Sequence, residues 1–111
     1  MFKLVFFVPA GQAEEVKQAV FAVGAGKYEH YDQCSWETEG TGQFRPQAGS
    51  NPYIGSLDQV ERVTEKRVEV LLREEILVEA LEALIGVHPY EEPAYEVYRI
   101  YQLAELKKMD A

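Results

Sequence analysis

Four side chains crowd one short stretch of this chain, HPYEEP at residues 88–93. His88, Tyr90, Glu91 and Glu92 put an imidazole, a phenol and two carboxylates within five positions. A neutral imidazole beside carboxylates can ligate a divalent metal ion such as Zn²⁺ or Cu²⁺. The same set can also act as an acid/base pair, His88 with Glu91 or Glu92. Spacing inside a turn fixes no tetrahedral site, so the plain structural reading stands beside both. In that reading His88 bonds backbone carbonyls, and the glutamates are solvated or paired with Arg45 or Arg62.

A second candidate is the stretch from Glu39 to Asp58, EGTGQFRPQAGSNPYIGSLD. It holds four of the eight glycines and two of the five prolines, and it reads as one glycine-rich loop over 39–58. Loops of about twenty residues are uncommon in compact domains and are usually functional or disordered. Phe44, Tyr53, Ile54 and Leu57 are spaced to pin this one to a surface. Successive N–H groups around Gly40, Thr41 and Gly42 can form an anion-binding nest. The competing reading is an Ω-type loop packed on its own aromatics, or an arm gripping a neighbouring subunit. There is no Walker lysine and no GxGxxG, so the glycines name no nucleotide.

These loops need a scaffold. Residues 2–8, FKLVFFV, read as a strand with Phe2, Leu4, Phe6 and Val8 on one face and Val5 and Phe7 on the other. Residues 12–23 carry Val16, Ala19, Val20 and Val23 at helical spacing, with Glu14 and Glu15 in the first turn, where the helix dipole favours them. Residues 28–38, YEHYDQCSWET, read as an aromatic second strand and 60–73 as a third. A second helix is predicted over 74–85 with Gly86 as its cap, and a fourth strand over 94–101. The tail, 102–111, has the spacing of a short helix through Leu103 and Leu106.

The order β-α-β-β-α-β predicts a ferredoxin-like α+β fold, an antiparallel sheet with two helices on one face and strand order 4-1-3-2. That topology brings the glycine-rich loop and HPYEEP to one end and leaves His30 at the other. The uncovered face, with Val5, Phe7, Tyr98 and Ile100, calls for cover, and a symmetric oligomer is the economical answer.

Composition sets outer limits. At 111 residues the chain is one domain with a modest core. The net charge of −8 disfavours nucleic-acid backbones and anionic membranes. No apolar run reaches the roughly 20 residues of a membrane span, and no signal peptide is read at the N-terminus. The single cysteine, Cys34, excludes an internal disulfide, which fits a reducing cytoplasm. Cys34 is expected to be buried, since free cysteine usually is. His30 and Cys34 on one strand face would stand about 13 Å apart, too far for one metal. Trp36 and Tyr31 are expected in sheet or interface packing. Glu37 and Glu39 either join Glu91 and Glu92 in an acidic cluster or are solvated.

The segment SWETEGTGQFRPQAGSNPYIG, residues 35–55, together with HPYEEPAYEVY, residues 88–98, resembles the domain inserted into Nif-three-like proteins, the NGG-interacting factor family. The resemblance spans residues 2–103. The histidine-proline-tyrosine-glutamate segment also resembles the divalent-cation-tolerance protein CutA, and both are similar in fold to PII signalling proteins. The resemblance implies a stand-alone CutA/PII-like domain assembled as a homotrimer, with sheets packed inward and long loops near subunit boundaries. Nif-three-like proteins build a two-metal site in a separate core from several histidines and carboxylates, whereas this chain has only His30 and His88 as histidines. For this domain the resemblance implies no established reaction, and the role expected from the residues is a non-enzymatic module that binds a small ligand, a metal ion or a protein partner through Gly40, Thr41, Gly42, Phe44 and the HPYEE turn. A small enzyme using His88, or a purely structural interaction domain, are the alternatives.

Overall fold

The computed structural model describes residues 1–109. Four strands and three helices follow in the order β1 (Phe2–Pro9), α1 (Ala13–Ala22), β2 (Trp36–Phe44), β3 (Glu61–Leu72), α2 (Leu77–Val87), β4 (Tyr95–Arg99) and α3 (Leu103–Met109). The strands form one antiparallel sheet in the order β2-β3-β1-β4. This is the ferredoxin-like arrangement predicted from the element order. The last two residues of the predicted tail, 110 and 111, lie outside those described.

The core follows from period-two patterning meeting helical patterning. Leu4, Phe6 and Val8 of β1 and Val68, Val70 and Leu72 of β3 point to the helix side. They meet Ala13, Val16 and Val20 of α1 and Ala80 and Leu84 of α2, all buried. Full burial of each large aliphatic side chain stabilises by about 1.5–3 kcal/mol. Glu14 and Glu15 sit in the first turn of α1 as the helix dipole favours.

Three boundaries differ from the sequence reading. Strand two begins at Trp36 rather than Tyr28 and runs to Phe44, so Gly40, Thr41 and Gly42 are strand residues opposite Glu65, Thr64 and Val63. Positive φ occurs among the glycines at Gly24, Gly26, Gly49 and Gly55, and not at Gly40 or Gly42. The predicted nest is therefore absent: extended backbone turns alternate N–H groups to opposite sides. Residues 28–35 are irregular, with a Tyr28–Tyr31 bridge, so His30 and Cys34 share no strand face. Cys34 is exposed rather than buried. Gly86 lies inside α2, not at its end. The helix stops at His88, whose backbone is extended (φ −60°, ψ 134°), as the following Pro89 demands.

β1 ends where Pro9 meets Glu65. The first four residues of β3, Glu61 to Thr64, therefore pair with β2 alone. They form a two-stranded arm that carries loop 45–60, and the molecule spans 55 × 26 × 23 Å. The face away from the helices bears Lys3, Val5 and Phe7, flanked by Leu71, Glu69 and Arg67 of β3 and by Tyr98 and Glu96 of β4. Val5 is buried even so, Glu69 is paired with Lys3 and Arg67, and Arg67 lies over the Phe7 ring.

Candidate functional site

The turn after α2 and the arm meet, as the topology requires, and Tyr90 is where they meet. Its ring packs edge-on against Phe44 at 5.7 Å and lies 6.4 Å from Tyr53, both on the arm. Its hydroxyl donates to Glu65 Oε2 at 2.8 Å. Burial, reinforced by the Glu65 carboxylate, pushes the Tyr90 phenol well above its ordinary value, so it remains a donor.

His88 holds the turn from beneath. The Tyr90 backbone N–H donates to His88 Nδ1 at 3.1 Å, which leaves the proton on Nε2. Nε2–H donates to the Phe7 carbonyl oxygen at 2.7 Å. The residue is only 6% exposed. Burial holds its pKa below the ordinary imidazole value, against the opposing pull of the Phe7 carbonyl and Glu65. Both nitrogens are thus engaged within the fold. A metal ion at His88 would have to displace Phe7 or Tyr90, and no nitrogen is left for proton exchange with Glu91 or Glu92.

Glu91 turns outward to the loop, where its Oε1 accepts the Asn51 N–H at 3.0 Å. Glu92 is exposed beside it. Arg45 pairs with Asp58 at 3.6 Å rather than with either glutamate, and the Asp58 N–H donates to the Pro46 carbonyl at 2.7 Å, closing the loop's neck. Glu37 and Glu39 stay apart from the turn. Lys17 holds Glu37 at 2.8 Å, and Lys66 reaches Glu37 at 3.7 Å and Glu39 at 3.5 Å.

The result is a cleft of about 890 Å³ on the helix-free face at the root of the arm. Phe7, Phe44, Tyr53 and Tyr90 supply its apolar walls, and Glu65, Glu91, Glu92 and Arg45 are among its polar ones. Of the sequence candidates, Gly42, Phe44, Tyr90, Glu91 and Glu92 line it, Gly40 and Thr41 do not, and His88 supports it from behind. Among the described residues, no group of three or more His, Cys, Asp or Glu side chains is placed to hold a metal ion.

Glu65 was not singled out in the sequence, yet it joins arm to turn. Gly42 carried the signal. A glycine inside a strand often marks close approach by another group, and a Cβ at Gly42 would run into the Glu65 carboxylate. Gly42 leaves the space in which Glu65 lies flat to reach Tyr90.

No family model matches the chain. It is 46% identical over 98 residues to a GTP cyclohydrolase 1 type 2 homolog of Mycobacterium bovis, covering 88% of this chain and 26% of that protein. A Bacillus cereus protein related to NIF3 superposes with a TM-score of 0.77 at 40% identity, over 91% of this chain and 26% of the other. The periplasmic divalent cation tolerance protein CutA of Archaeoglobus fulgidus superposes with a TM-score of 0.66 over 92% of this chain and 86% of the other. At 17% identity, that likeness is one of fold. The chain spans about a quarter of the length of the Mycobacterium and Bacillus relatives. No helix described is long and apolar enough to cross a membrane. By sequence the chain is homologous to one segment of proteins such as the Bacillus cereus protein related to NIF3, and it shares its fold with CutA.

Proposed function

We propose that the chain is a non-enzymatic, self-associating binding module, a homotrimer whose Tyr90-centred cleft receives a small molecule, a metal ion or a partner segment. The observation that carries this is the cleft itself. At about 890 Å³ it falls within the size range of small-molecule sites. It combines aromatic walls with a few convergent polar groups, and its own hydrogen bonds pre-form it. The imidazole that would have served acid/base chemistry is engaged at both nitrogens, which weighs against the enzyme alternative. Self-association is supported by the projecting arm, since a two-stranded ribbon is marginally stable alone. It is supported also by Tyr98, 46% exposed on the helix-free face. The fold relative described as a divalent cation tolerance protein makes divalent cations reasonable first ligands to try, with Glu91 and Glu92 as their oxygen donors.

The test is a solution mass at micromolar concentration followed by cation titration. The expected mass is three times the 12.6 kDa chain. A stable monomer removes the assembly. If a cation is the ligand, Glu91→Gln with Glu92→Gln should abolish its heat of binding while His88→Ala alters it little. Undiminished binding by the double variant would move the metal elsewhere.

A further inference from the structure

The side of α2 turned away from the sheet is apolar where a surface helix is ordinarily polar, and nothing in the proposed role uses it. The sequence of α2 is LVEALEALIGV, with Glu79 and Glu82 its only charged residues. Its core side is Ala80 and Leu84, both buried, with Leu77 and Leu81 packed beside them. At 3.6 residues per turn, Val78 and Ile85 fall outside that group and on one line of the outer face. Val78 is 67% exposed and Ile85 46%. Apolar side chains thus run over roughly 220° of the helix, where an ordinary surface helix needs about 100°.

The neighbouring helix shows the ordinary pattern. α1 buries Val16 and Val20 and presents Glu14, Glu15 and Gln18 to solvent. A helix that is apolar beyond the stripe facing its core is one that is covered on its outer side too. Assembly through the sheet cannot supply that cover, because α2 and the helix-free face lie on opposite sides of the sheet. Gly86 is a second sign on the same face. It is exposed, its backbone is not left-handed, and a Cβ there would meet nothing within 4 Å. Glycine inside a helix is unfavourable against alanine, so neither the backbone nor the packing of this chain calls for it. A bare position on an outward helix face lets another backbone come close.

The charge on this face selects what can lie there. Glu82 falls between Val78 and Ile85, and Glu79, Glu75 and Glu74 follow toward the N-terminus, all exposed. None of the four has an ion-pair partner among the described residues. The helix dipole accounts for Glu74, Glu75 and Glu79 in the first turns, but not for Glu82 further on. Pairing with a second copy through this face would set glutamate beside glutamate, and an anionic membrane is repelled in the same way.

We propose that the outer face of α2 docks a basic amphipathic helix of a partner protein. The partner's apolar side chains lie on Val78 and Ile85, its backbone approaches at Gly86, and its lysines or arginines meet Glu79 and Glu82. Val78 and Ile85, two turns apart on one line, are the spacing by which one helix reads another. The contact is small, so it forms and dissociates readily and weakens with salt. This face is separate from the Tyr90 cleft and stands or falls independently of it.

The probe is a synthetic leucine–lysine peptide patterned as an amphipathic helix, added to the isotope-labelled full chain in whatever assembly it adopts. Amide shifts in the NMR spectrum give its footprint. The expected result is saturable shifts centred on residues 78–86 that weaken with salt. A leucine–glutamate peptide, or the leucine–lysine composition in scrambled order, should give none. Val78→Lys and Glu82→Lys should each weaken binding by about tenfold or more, the scale of one lost anchor. Gly86→Ala should weaken binding while leaving the unfolding midpoint unchanged or higher, since alanine suits a helix better. A glycine kept for structure alone would lower the midpoint and leave binding as it was. Shifts that spread equally over Glu14 and Glu15 of α1, or equal binding of the scrambled peptide, would mean attraction to acidic surface alone and overturn the proposal. Absence of saturable shifts up to millimolar peptide overturns it as well, as does equal binding by wild type and the three variants. So does a lower solution mass for Val78→Lys with Ile85→Lys, which would mean that a second copy covers this face.

Discussion

The Tyr90 hydroxyl donates to the Glu65 carboxylate at 2.8 Å, joining the turn after α2 to the middle of β3. Around that bond, Phe44 and Tyr53 close on the same ring from the arm. One side chain thus couples the HPYEEP turn to both strands of the projecting hairpin.

Removing the hydroxyl alone should be mild. Tyr90→Phe keeps the ring contacts and frees a half-buried carboxylate that can turn toward water, so a loss of about 1 kcal/mol is expected. Tyr90→Ala also removes the ring from Phe44 and Tyr53 and should cost about 2–3 kcal/mol, below the range for a fully buried aromatic. Denaturant unfolding of the three proteins measures this. Indistinguishable midpoints for wild type and Tyr90→Ala would show that the arm is held by something else.

Gly42 gives a sharper test because its reason is a single neighbour. Gly42→Ala places a Cβ where the flexible end of Glu65 lies, so the carboxylate must swing away from Tyr90 and the cost should be no more than about 1 kcal/mol, that of the lost hydrogen bond. With Glu65→Ala already present that carboxylate is gone, and the same substitution should cost nothing or stabilise slightly, since glycine inside a strand is itself unfavourable. A double-mutant cycle with no coupling would mean that backbone conformation, not room for Glu65, is why glycine stands there.

That pair also marks where sequence reading stopped. The helices were legible, because Val16 and Val20 recur at helical spacing and are buried at 0% exposure. The sheet order followed from the succession of elements and chain handedness alone. The extent of β2 was not legible. An aromatic run at 28–36 imitates a strand, and glycines at 40 and 42 imitate a loop, since local propensity favours both mistakes. Pairing with β3 decides the matter instead, and no local window contains that partner. The meeting of the long loop with HPYEEP was legible from topology. That His88 bonds a backbone carbonyl was legible as the plain structural reading; which carbonyl was not, because it is that of Phe7, 81 residues away in sequence, and the second partner is the Tyr90 N–H.

His88 makes stability depend on pH in a stated direction. Its folded-state pKa lies below the ordinary value of about 6.5, mainly through burial. Above that value the ring is neutral in both states and the Phe7 and Tyr90 bonds are intact. As pH falls below about 6.5 the unfolded chain takes up a proton that the native ring resists, so stability declines until the folded pKa is passed. Protonated Nδ1 can no longer accept from Tyr90. Against wild type, His88→Gln should be less stable at pH 7 and lack this part of the acid decline, with His30 common to both. Parallel pH profiles for the two proteins would contradict a neutral His88 in the folded state.

The arm is the part of the molecule least supported by its own chain. Residues 41–44 and 61–64 pair only with each other, and their tip carries loop 45–60. The tip's holds on the body are the Asn51–Glu91 bond at 3.0 Å and the Tyr53–Tyr90 contact. Ordering each backbone residue costs roughly 1–2 kcal/mol, which two such contacts do not offset across a loop of this length. In a trimer, a neighbouring copy would supply the remainder. Amides of residues 47–57 should therefore exchange slowly in the assembled protein. They should exchange fast in Tyr98→Asp, whose new carboxylate falls beside Glu96 on the face proposed to pack between copies. Fast exchange in both proteins that slows only when a divalent cation or small molecule is added would make the loop ligand-ordered and leave assembly with no part in it. Slow exchange in both would mean that Tyr90 and Glu91 suffice, and the neighbour would not be needed.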